Sequence, residues 1–510
     1  MQAAIKALKN NKAPGDDMLA AELFKTGSEA LFTELYELVV MVWNQERIPK
    51  SSNDAVMVNL YKKGDKELCG NYRGLSLLST LYKIIARVIY HRLLPYVEPV
   101  LGDYQAGFRN NRSTSDQIFS IRQVIEKRWE FAKDSHIIFV DFKQAYDCLH
   151  RESLWKILAG FMVPTKLINI IKALYNETTA KVKVNGGYSD PFPILSGVRQ
   201  GCLLSPCLFN LALEWVVRQS ILEGGGVTVG RLSLSTLAYA DDIALLSEDM
   251  QQLEQSFDLF RRTAERIGLL VNENKTKIMH IQRGLRHQVG NELVAGLSLE
   301  RVNKFVYLGS EITPNNDISG EVERRISSAT RAFYALGKLF KSRLLSRRTK
   351  LRLLNSMVLP VLTFGAETWS LTQTLERKIL RFENDKLKTI CGPIFDVELG
   401  MWRRRYAREV RALTQQPLIT DVLRASRLRW LGHILRAGPD CFVHRIFLEE
   451  MEGRRPRGRP RTRWRDVVGN DLELLGVDLE RVEEMAEDRS SWRRLVVAAK
   501  GLNRPIAPGD

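Results

Sequence analysis

The sequence has few cysteines, and their arrangement predicts neither a disulfide framework nor a zinc site. Six cysteines are spread over 510 residues, and none forms a CxxC pair. A chain of this length does not depend on disulfides for its stability, so we expect a reducing compartment. Cys441 and His444 form one CxxH, with Cys391 and His433 upstream, but the spacing of the four residues is irregular. The pattern favours ordinary cysteines over a zinc knuckle.

Long apolar runs are also absent. No stretch reaches the ~18 consecutive apolar residues of a membrane helix, so the sequence predicts no membrane span. The first residues, MQAAIKALKNNKAPG, lack the apolar core of a secretory signal. No repeat with a period of about 20–50 residues occurs, so the sequence does not support a repeat architecture. We therefore expect an intracellular protein that is not secreted.

Acidic residues are too few to balance the basic ones. Lysine and arginine total 76 against 59 aspartates and glutamates, for a formal net charge of +17. Such a surplus repels itself in the free protein and is neutralised by a polyanionic partner. The charge therefore favours a nucleic-acid-binding protein, with a merely basic or ribosome-associated protein as the alternative.

Hydrophobic periodicity divides the chain into parts of different character. Its length corresponds to roughly three domains of ~100–200 residues. The N-terminal part is predicted to be mostly helical, with a strand over Ala55–Tyr61 and a helix over Leu75–Leu94 that is interrupted at Pro95. In the middle third, short strands alternate with helices without a regular βα repeat, which is typical of an α+β domain. After about Ser319 the pattern is helical to the end.

Two apolar strands carry acids at their ends. Leu237–Leu246 is an apolar run interrupted by Asp241 and Asp242, and the strand candidate Ile137–Val140 ends in Asp141. Neighbouring buried carboxylates raise each other's pKa, and a divalent cation relieves the repulsion. If Asp141 lies beside Asp241, the three carboxylates can hold two metal ions ~3.5–4 Å apart for nucleotidyl transfer. Adjacent aspartates in an ordinary hairpin turn are the alternative, and these residues alone leave it open.

These acids lie within an ordered set of short motifs. The segments are Asn10–Gly15 (NNKAPG), Asn71–Leu78 (NYRGLSLL), Gln105–Ser113 (QAGFRNNRS), Phe139–Asp147 (FVDFKQAYD), Gly197–Pro206 (GVRQGCLLSP), Ala238–Asp242 (AYADD), Gly268–Lys277 (GLLVNENKTK) and Phe305–Gly309 (FVYLG). Together they resemble the motifs of the reverse transcriptases of non-LTR retrotransposons. One such motif is weak by itself, but the whole set occurs in the family's order over roughly residues 8–312.

The resemblance implies an α+β fold of the right-hand polymerase type. Residues 1–135 would form the fingers and the start of the palm, and residues 136–312 a palm with a small antiparallel sheet. The reverse transcriptase domain would span roughly residues 40–312. A helical thumb over residues 313–400 and a helical, basic nucleic-acid-binding region over residues 401–510 would follow. Such elements usually carry an endonuclease ahead of the polymerase; we expect none here and assign no target-DNA nicking.

The resemblance also implies roles for single residues. Asp141, Asp241 and Asp242 would be the catalytic metal ligands, with two Mg²⁺ ions as cofactor and Mn²⁺ as a substitute. Tyr146 would be the steric gate that rejects a 2′-hydroxyl, with a core aromatic as the alternative. Nucleotide-binding roles fall on Arg109, Arg112, Gln200, Gly201 and Lys275, and the primer grip on Phe305, Leu308 and Gly309. Solvated charges, a plain loop and a plain strand are the alternatives for these two groups.

A basic segment near the C-terminus resembles the tail of RTE-like elements. Its sequence from Gly453 is GRRPRGRPRTRWR, in which arginine suits phosphate contacts and tryptophan offers a platform for a base. The residues expected to bind nucleic acid are Arg454, Arg455, Arg457, Arg459, Arg461, Arg463, Trp464 and Arg465. A nuclear-import patch or a solvated charge run are the alternatives.

Together the motifs predict the RNA-directed DNA polymerase of a non-LTR retrotransposon. Its expected partners are template RNA, a DNA primer or target and dNTPs, in a nuclear or cytoplasmic ribonucleoprotein. The alternatives are a catalytically silent nucleic-acid-binding relic and a protein like the group II intron maturases. The NNKAPG motif and the arginine-rich tail favour the retrotransposon branch.

Overall fold

The computed structural model describes residues 1–49, 54–184, 186–222, 224–284, 290–458, 461–478 and 481–501. Over these ranges, none of the helices combines the length and the apolar character that crossing a bilayer requires. All six cysteines are free thiols.

The helices of the described ranges are α1 Gln2–Lys6, α2 Ala21–Lys25, α3 Glu29–Gln45, α4 Thr80–Val97, α5 Thr114–Glu130, α6 Ala145–Cys148, α7 Arg151–Gly160, α8 Thr165–Tyr175, α9 Leu204–Ser220, α10 Met250–Glu265, α11 Ser319–Ala335, α12 Gly337–Lys341, α13 Arg347–Leu353, α14 Leu359–Leu362, α15 Gln373–Cys391, α16 Ala407–Thr414, α17 Ile419–Arg436, α18 Phe442–Leu448, α19 Trp464–Glu473, α20 Val482–Glu487 and α21 Arg489–Ala499. The strands are β1 Asp54–Tyr61, β2 Tyr72–Leu78, β3 Ser135–Val140, β4 Thr179–Val184, β5 Gly187–Tyr188, β6 Phe192–Pro193, β7 Val227–Val229, β8 Leu232–Leu234, β9 Thr236–Tyr239, β10 Asp242–Ser247, β11 Lys277–Ile281, β12 Gly290–Val294, β13 Leu297–Arg301, β14 Phe305–Tyr307, β15 Ser310–Ile312, β16 Ile394–Asp396 and β17 Met401–Arg403.

A six-stranded sheet lies at the centre of the chain, with the order β12-β13-β11-β3-β10-β9. Every residue of β3 is buried. Because side chains alternate along a strand, Ile138 and Val140 pack into the core on one face, while Ile137 and Phe139 pack into the core on the other. The uninterrupted apolar run of β3 therefore serves two cores, which is why it lacks the polar alternation of a half-exposed strand.

Different helices cover the two faces. Apolar residues of α4, α7, α8, α9 and α10 fill the first core, including Phe209 and Phe257. The second core is built from α5 together with α17, α18, α19 and α21, and includes Phe119, Trp464 and Trp492. The C-terminal helices thus form one layer of the central sheet's own packing.

A second sheet, ordered β2-β1-β4-β5 with β6 paired to β4, combines two strands from the N-terminal part with three from the middle of the chain. Here the prediction of a helix from Leu75 is wrong in part. Leu75 belongs to β2, which pairs antiparallel with β1, and α4 begins only at Thr80, where the Ser79 hydroxyl accepts the N–H of Tyr82 at 3.1 Å. Pro95 does not end α4 either, since the helix continues to Val97.

Helices α11 to α16 and the start of α17 share a third core, which extends from Ile318 to Leu423. The purely helical pattern predicted after Ser319 is broken by a hairpin, in which Asp396 pairs with Met401. The predicted boundary at residue 400 falls inside the turn of that hairpin. The helical unit expected over residues 313–400 therefore continues beyond it, because α16 packs into the same core.

Candidate active site

The three acids meet at one edge of the central sheet. β3 and β10 are antiparallel neighbours, with Val140 opposite Ile243. The next residues outward are Asp141 and Asp242, so the two lie side by side where both strands leave the sheet. Opposed residues of such a pair have Cβ atoms ~4.5–5.5 Å apart. Asp241 precedes Asp242 in the tight turn from β9, which brings all three carboxylates to the same edge.

The turn that carries Asp241 is braced from behind by the Gln105–Ser113 motif. Gln105 Oε1 accepts the N–H of Ala240 at 2.9 Å and that of Gly107 at 2.8 Å. Ala240 has a φ of 56°, a left-handed conformation that few residues other than glycine adopt, so the turn needs such support. A Cβ at Gly107 would lie only 2.2 Å from the Ala240 nitrogen, so only glycine fits there. The sequence motif contained Gln105, but its role depends on a long-range contact and was not predicted.

Lys275 lies at the same edge. Its Nζ is 3.3 Å from Asp141 Oδ2. The backbone beneath is held by Asn272, whose N–H donates to the Asp141 carbonyl at 2.7 Å, and by Thr276, whose Oγ1 accepts the Asp141 N–H at 3.3 Å. The GLLVNENKTK motif is therefore the segment that fixes Asp141 and supplies a cation beside it.

The clustered carboxylates repel one another. Desolvation by the surrounding protein, followed by the charges of Asp241 and Asp141, raises the pKa of Asp242 to about 6, although solvent still reaches its side chain. Burial and the charge of Asp141 also raise the pKa of Asp241. Positive charges on Arg73 and Lys275 oppose this shift for Asp241. The edge is thus short of positive charge.

Tyr146 and the Gly197–Pro206 motif face the acids across a cavity of about 700 Å³. The Tyr146 ring stacks on Phe209, with centroids 4.5 Å apart and an angle of 19° between the planes. Burial, then the charge of Asp241, raises the pKa of its phenol. The Tyr146 carbonyl accepts the N–H of Val198 at 2.7 Å, and a Cβ at Gly197 would lie 2.5 Å from that same oxygen. The motif is therefore pressed directly against the helix that carries Tyr146.

Gln200 and Gly201 line the same cavity. The Gln200 side-chain amide donates to both carboxylate oxygens of Asp147, at 2.7 and 2.9 Å, and the backbone carbonyl of Gln200 accepts the N–H of Ser76 at 3.1 Å. Gly201 has a φ of +106°, and a Cβ there would lie 2.8 Å from the Ser76 carbonyl. These contacts attach the loop to β2, so the two sheets meet at the cavity.

Basic side chains that the sequence interpretation did not single out line this cavity as well. They are Lys9, Lys12, Arg73, Lys83, Arg87 and Arg199. Arg73 lies on β2 within the NYRGLSLL motif, and its charge stabilises the ionised forms of Asp241 and Asp147. The motif marked the segment, but the strand that aims Arg73 at the acids was not predicted.

The expected primer-grip residues form a hairpin against the central sheet. Phe305 stacks on Phe139 with centroids 4.2 Å apart, and Leu308 and Gly309 make the turn between β14 and β15. Tyr307, which was not predicted, is fully buried, and burial together with the charge of Asp242 raises its pKa. The hairpin therefore lies next to the carboxylates, and the primer-grip role itself stays a prediction.

Two predicted nucleotide-binding residues lie elsewhere. Arg109 pairs with Glu98 at 3.1 Å and donates to the Gly102 carbonyl at 2.8 Å. Arg112 pairs with Asp103. Both line a separate cavity that shares no lining residue with the one containing Tyr146 and Asp241. The sequence prediction is that they clamp the triphosphate or the template backbone. In this fold, carboxylates of the chain pair with both guanidinium groups away from the acids, and the nucleotide-binding role stays a prediction.

The arginine-rich segment Gly453–Arg465, here called the C-terminal strap, makes many contacts within the chain, and nucleic-acid binding by its arginines stays a prediction. Trp464 is 1% exposed, donates through Nε1 to the Glu367 carbonyl at 2.8 Å and packs edge-on against Phe119, so it is not available to stack on a base. Arg463 pairs with Glu130 at 2.6 Å. Further contacts join Arg455 to Glu130, Arg465 to Glu450 and Arg461 to the Asn315 carbonyl. Arg454 and Arg457 are exposed, and Arg459 lies outside the described residues.

Comparison with known proteins identifies the part of the chain that contains the site. Residues 60–312 match the family model for reverse transcriptase (RNA-dependent DNA polymerase). These residues form a reverse transcriptase domain. The match covers both strands that carry the acids, the Tyr146 helix and the β14–β15 hairpin.

The relatives of this reverse transcriptase domain come from mobile elements. The chain is 26% identical over 74% of its length to the transposon TX1 uncharacterized 149 kDa protein of Xenopus laevis, covering 29% of that protein. It is 25% identical over 92% of its length to the RNA-directed DNA polymerase from the mobile element jockey of Drosophila funebris, covering 51% of it. The chain thus spans about half or less of these relatives. The apo telomerase structure from Candida tropicalis shows 14% identity, with 92% of this chain and 74% of that chain covered, at a TM-score of 0.41.

Reverse transcriptases use divalent metal ions, and the acidic edge has a suitable donor set. Asp141 Oδ2 is buried and has no hydrogen-bond partner among the described residues, and its ionic contact there is the exposed Lys275. Carboxylate oxygens are hard ligands, which magnesium prefers, and a cation would relieve the repulsion that raises both pKa values. As their side chains are placed, no group of three or more His, Cys, Asp or Glu residues in the described ranges has the geometry of a metal site. The side chains of the three aspartates would have to reorient to bind an ion together.

Proposed function

We propose that the chain is the RNA-directed DNA polymerase of a non-LTR retrotransposon, extending a DNA primer on an RNA template with dNTPs. One observation carries the proposal: three carboxylates, from strands far apart in sequence, meet at one sheet edge beside a cavity lined by basic residues and Tyr146. The names of the relatives, jockey and R2 among them, support the choice of element.

Asp141, Asp241 and Asp242 would hold two Mg²⁺ ions, or Mn²⁺ in their place. When bound, such ions acidify the primer 3′-hydroxyl and stabilise the charge on the leaving pyrophosphate. The side chains must be ionised to act as ligands. Since the pKa of Asp242 is about 6, its carboxylate is ionised and able to bind a metal ion at neutral pH, and it becomes protonated and loses this ability in acid.

Residues around the acids would position the substrates. Arg73 and Lys275 carry the positive charge closest to the carboxylates and would orient the triphosphate. Tyr146, rigid on Phe209, would limit the space beneath the sugar and so exclude a 2′-hydroxyl. Gln200 and Gly201 would support the template base, because their loop is fixed to β2 and lines the same cavity. Holding both reactants in line supplies much of the rate in this reaction class.

Primer extension tests the proposal. Purified protein with a poly(rA) template, an oligo(dT) primer, dTTP and Mg²⁺ should extend the primer. Asp241→Asn keeps the side-chain shape but removes a metal ligand, so extension should fall at least about a thousandfold, equivalent to about 4 kcal/mol of transition-state stabilisation. RNA binding should change little.

Asp440→Asn is the matched control, because it removes one exposed carboxylate away from the sheet edge and should retain full activity. Equal extension by the wild type and Asp241→Asn would exclude the carboxylates from catalysis. RNA binding without any extension by the wild type would instead favour the silent nucleic-acid-binding relic.

A further inference from the structure

The cavity that contains Arg109 and Arg112 is strongly basic and lies outside the catalytic cleft. Its volume is about 690 Å³, and six arginines and one histidine line it against one carboxylate. The lining charges are Arg109, Arg112, Arg429, Arg436, Arg489, Arg493, His433 and Glu98. The basic residues come from three separate parts of the chain, which are the loop before α5, helix α17 and helix α21, and Glu98 directly follows α4.

The helix spacings present these charges on one side. Arg429, His433 and Arg436 follow one another at intervals of four and three residues on α17, and Arg489 and Arg493 are four apart on α21. Residues at these intervals share a helix face. The two faces therefore form adjoining walls of the cavity.

Close packing fixes the two helices against each other. Trp492 of α21 donates through Nε1 to the Leu428 carbonyl of α17 at 3.0 Å. A Cβ at Gly432 would lie 2.1 Å from that nitrogen, so the glycine creates the space for the tryptophan. Glycine inside a helix costs about 1 kcal/mol relative to alanine, and here the contact with Trp492 explains its presence. The arginine walls are thus held by a rigid joint.

Most of the arginines on these walls have no acidic partner. Arg109 and Arg112 pair with Glu98 and Asp103, and Arg112 also donates to the Cys441 sulfur at 2.8 Å. Across the described ranges, Arg429, Arg489 and Arg493 form no ion pair with an acid. Arg436 donates to the Ala486 carbonyl at 2.8 Å, and burial followed by the charge of Arg489 lowers its pKa. An anion in the cavity would relieve this mutual repulsion.

We infer, resting on the function proposed above for the choice of ligand, that this cavity binds the phosphodiester backbone of a nucleic-acid strand. Guanidinium groups suit phosphate oxygens, and several in one cavity suit several successive phosphates. A base is not read here, because Trp492 is the aromatic side chain of the lining and is already buried against α17. The site would therefore hold the strand without regard to its sequence.

The position of the cavity connects it with catalysis. The loop that supplies Arg109 and Arg112 begins at Gln105 and Gly107, which support the catalytic turn at Ala240. A nucleic-acid strand bound in the cavity would thus contact the C-terminal end of the same segment whose N-terminal end supports the turn that carries Asp241. The cavity would anchor substrate that extends beyond the cleft, without touching the reacting atoms.

Salt dependence of binding tests the inference. Arg489→Gln/Arg493→Gln removes two exposed, unpaired charges from the cavity wall. Binding of a short unstructured RNA and of a duplex DNA of similar length is measured by fluorescence anisotropy over a range of KCl concentrations. The slope of log K against log salt should become shallower by about 1.4 for the RNA and about 1.8 for the duplex, since each phosphate contact contributes about 0.7 or 0.9. If the slope becomes shallower with only one of the two probes, the cavity binds that kind of nucleic acid.

Arg481→Gln/Arg494→Gln is the matched control, with the same charge loss at exposed positions that do not line the cavity. For this control, the slope of log K against log salt should remain that of the wild type. Arg429→Gln, which removes one charge, should change the slope by about half as much as the cavity double variant. Equal slopes in the cavity variant and the control would overturn the inference. So would displacement of the oligonucleotide by inorganic phosphate at constant ionic strength, which would indicate a small-anion site.

The two proposals fail in different ways. If the wild type extends primers and the cavity variant keeps its slope, the cavity assignment is wrong and the polymerase assignment stands. If the slope falls as expected while the wild type extends nothing, the cavity binds nucleic acid and the polymerase assignment is wrong.

Discussion

The AYADD turn and the C-terminal strap, two charged segments with equally suggestive sequences, have opposite surroundings in the fold. Asp241 and Asp242 lie at an open sheet edge, where like charges face one another beside a large cavity. Within the strap, Arg455 and Arg463 share Glu130 as a partner, and Trp464 lies in the core of the central sheet. The AYADD turn leaves its charges available to a ligand, whereas most charges of the C-terminal strap form contacts with other parts of the chain.

The difference lies in the partner that each charge finds. At the sheet edge, burial and the charge of Asp141 raise the pKa of Asp241, and burial and the charges of Asp241 and Asp141 raise the pKa of Asp242, so a ligand must provide the missing positive charge. Along the strap, acids of α5 provide the negative charge. The hydrogen bond from the Trp464 indole to the backbone carbonyl of Glu367 connects the strap to the segment between α14 and α15. A dense run of arginines therefore predicts an anionic partner, but it does not predict whether that partner is nucleic acid or an acid of the same chain.

Replacing the strap tryptophan should have the largest effect on stability. Trp464→Ala removes a fully buried indole, and we expect the free energy of unfolding to fall by about 3–5 kcal/mol in denaturant titrations. Trp402→Ala is the matched control: Trp402 is also followed by arginines, but it is 66% exposed and should change stability by less than about 0.5 kcal/mol.

The milder Trp464→Phe keeps the comparison measurable if the alanine variant does not fold. It should lose part of the same stability, and its RNA affinity should match that of the wild type. Weaker RNA binding by a Trp464 variant of unchanged stability would restore the role predicted from the sequence, and the contrast between the two segments would disappear.

Tyr146, the expected sugar gate, tests whether the cavity beside the acidic edge binds a nucleotide. Tyr146→Val removes the ring that lies on Phe209, so the preference for dTTP over UTP in single-nucleotide incorporation should fall by about tenfold to a hundredfold. Tyr146→Phe keeps the ring and loses a hydroxyl that has no hydrogen-bond partner in the described ranges. The phenylalanine variant should therefore discriminate like the wild type. Unchanged discrimination in the valine variant would remove Tyr146 from the gate.

Local pattern was sufficient for some features and not for others. The strand ending in Asp141 could be predicted because a continuous apolar run marks a strand buried on both faces, and the expected meeting of three acids follows from two such strands pairing. β2 could not, because its apolar spacing also fits a helix and its strand character depends on pairing with β1. The roles of Gln105, Arg73 and Trp464 depend on contacts with distant segments, and no spacing rule within their own motifs contains that information.

The smallest expected effect tests whether the acidic edge is strained by its own charge. Folding raises the pKa of Asp242 from an ordinary 3.8 to about 6, so the carboxyl is protonated in the folded protein below that pH. Protonation of Asp242 contributes to the free energy of unfolding. This contribution is fully present below about pH 4 and is lost as the pH rises through about 6. Asp242→Asn, which is always neutral, should therefore raise the melting temperature of the metal-free protein near pH 7.5 and leave it unchanged near pH 4. We expect only about 1–2 °C, since solvent screens an exposed carboxylate.

Adding Mg²⁺ should raise the melting temperature of the wild type at neutral pH and leave that of Asp242→Asn nearly unchanged, because the ion neutralises the repulsion that the substitution has already reduced. Asp440→Asn, which alters one exposed carboxylate elsewhere, should follow the wild type in every condition. If Asp242→Asn instead melts lower than the wild type at neutral pH, its charge is stabilised within the chain as the strap arginines are. The edge would then need no cation from outside.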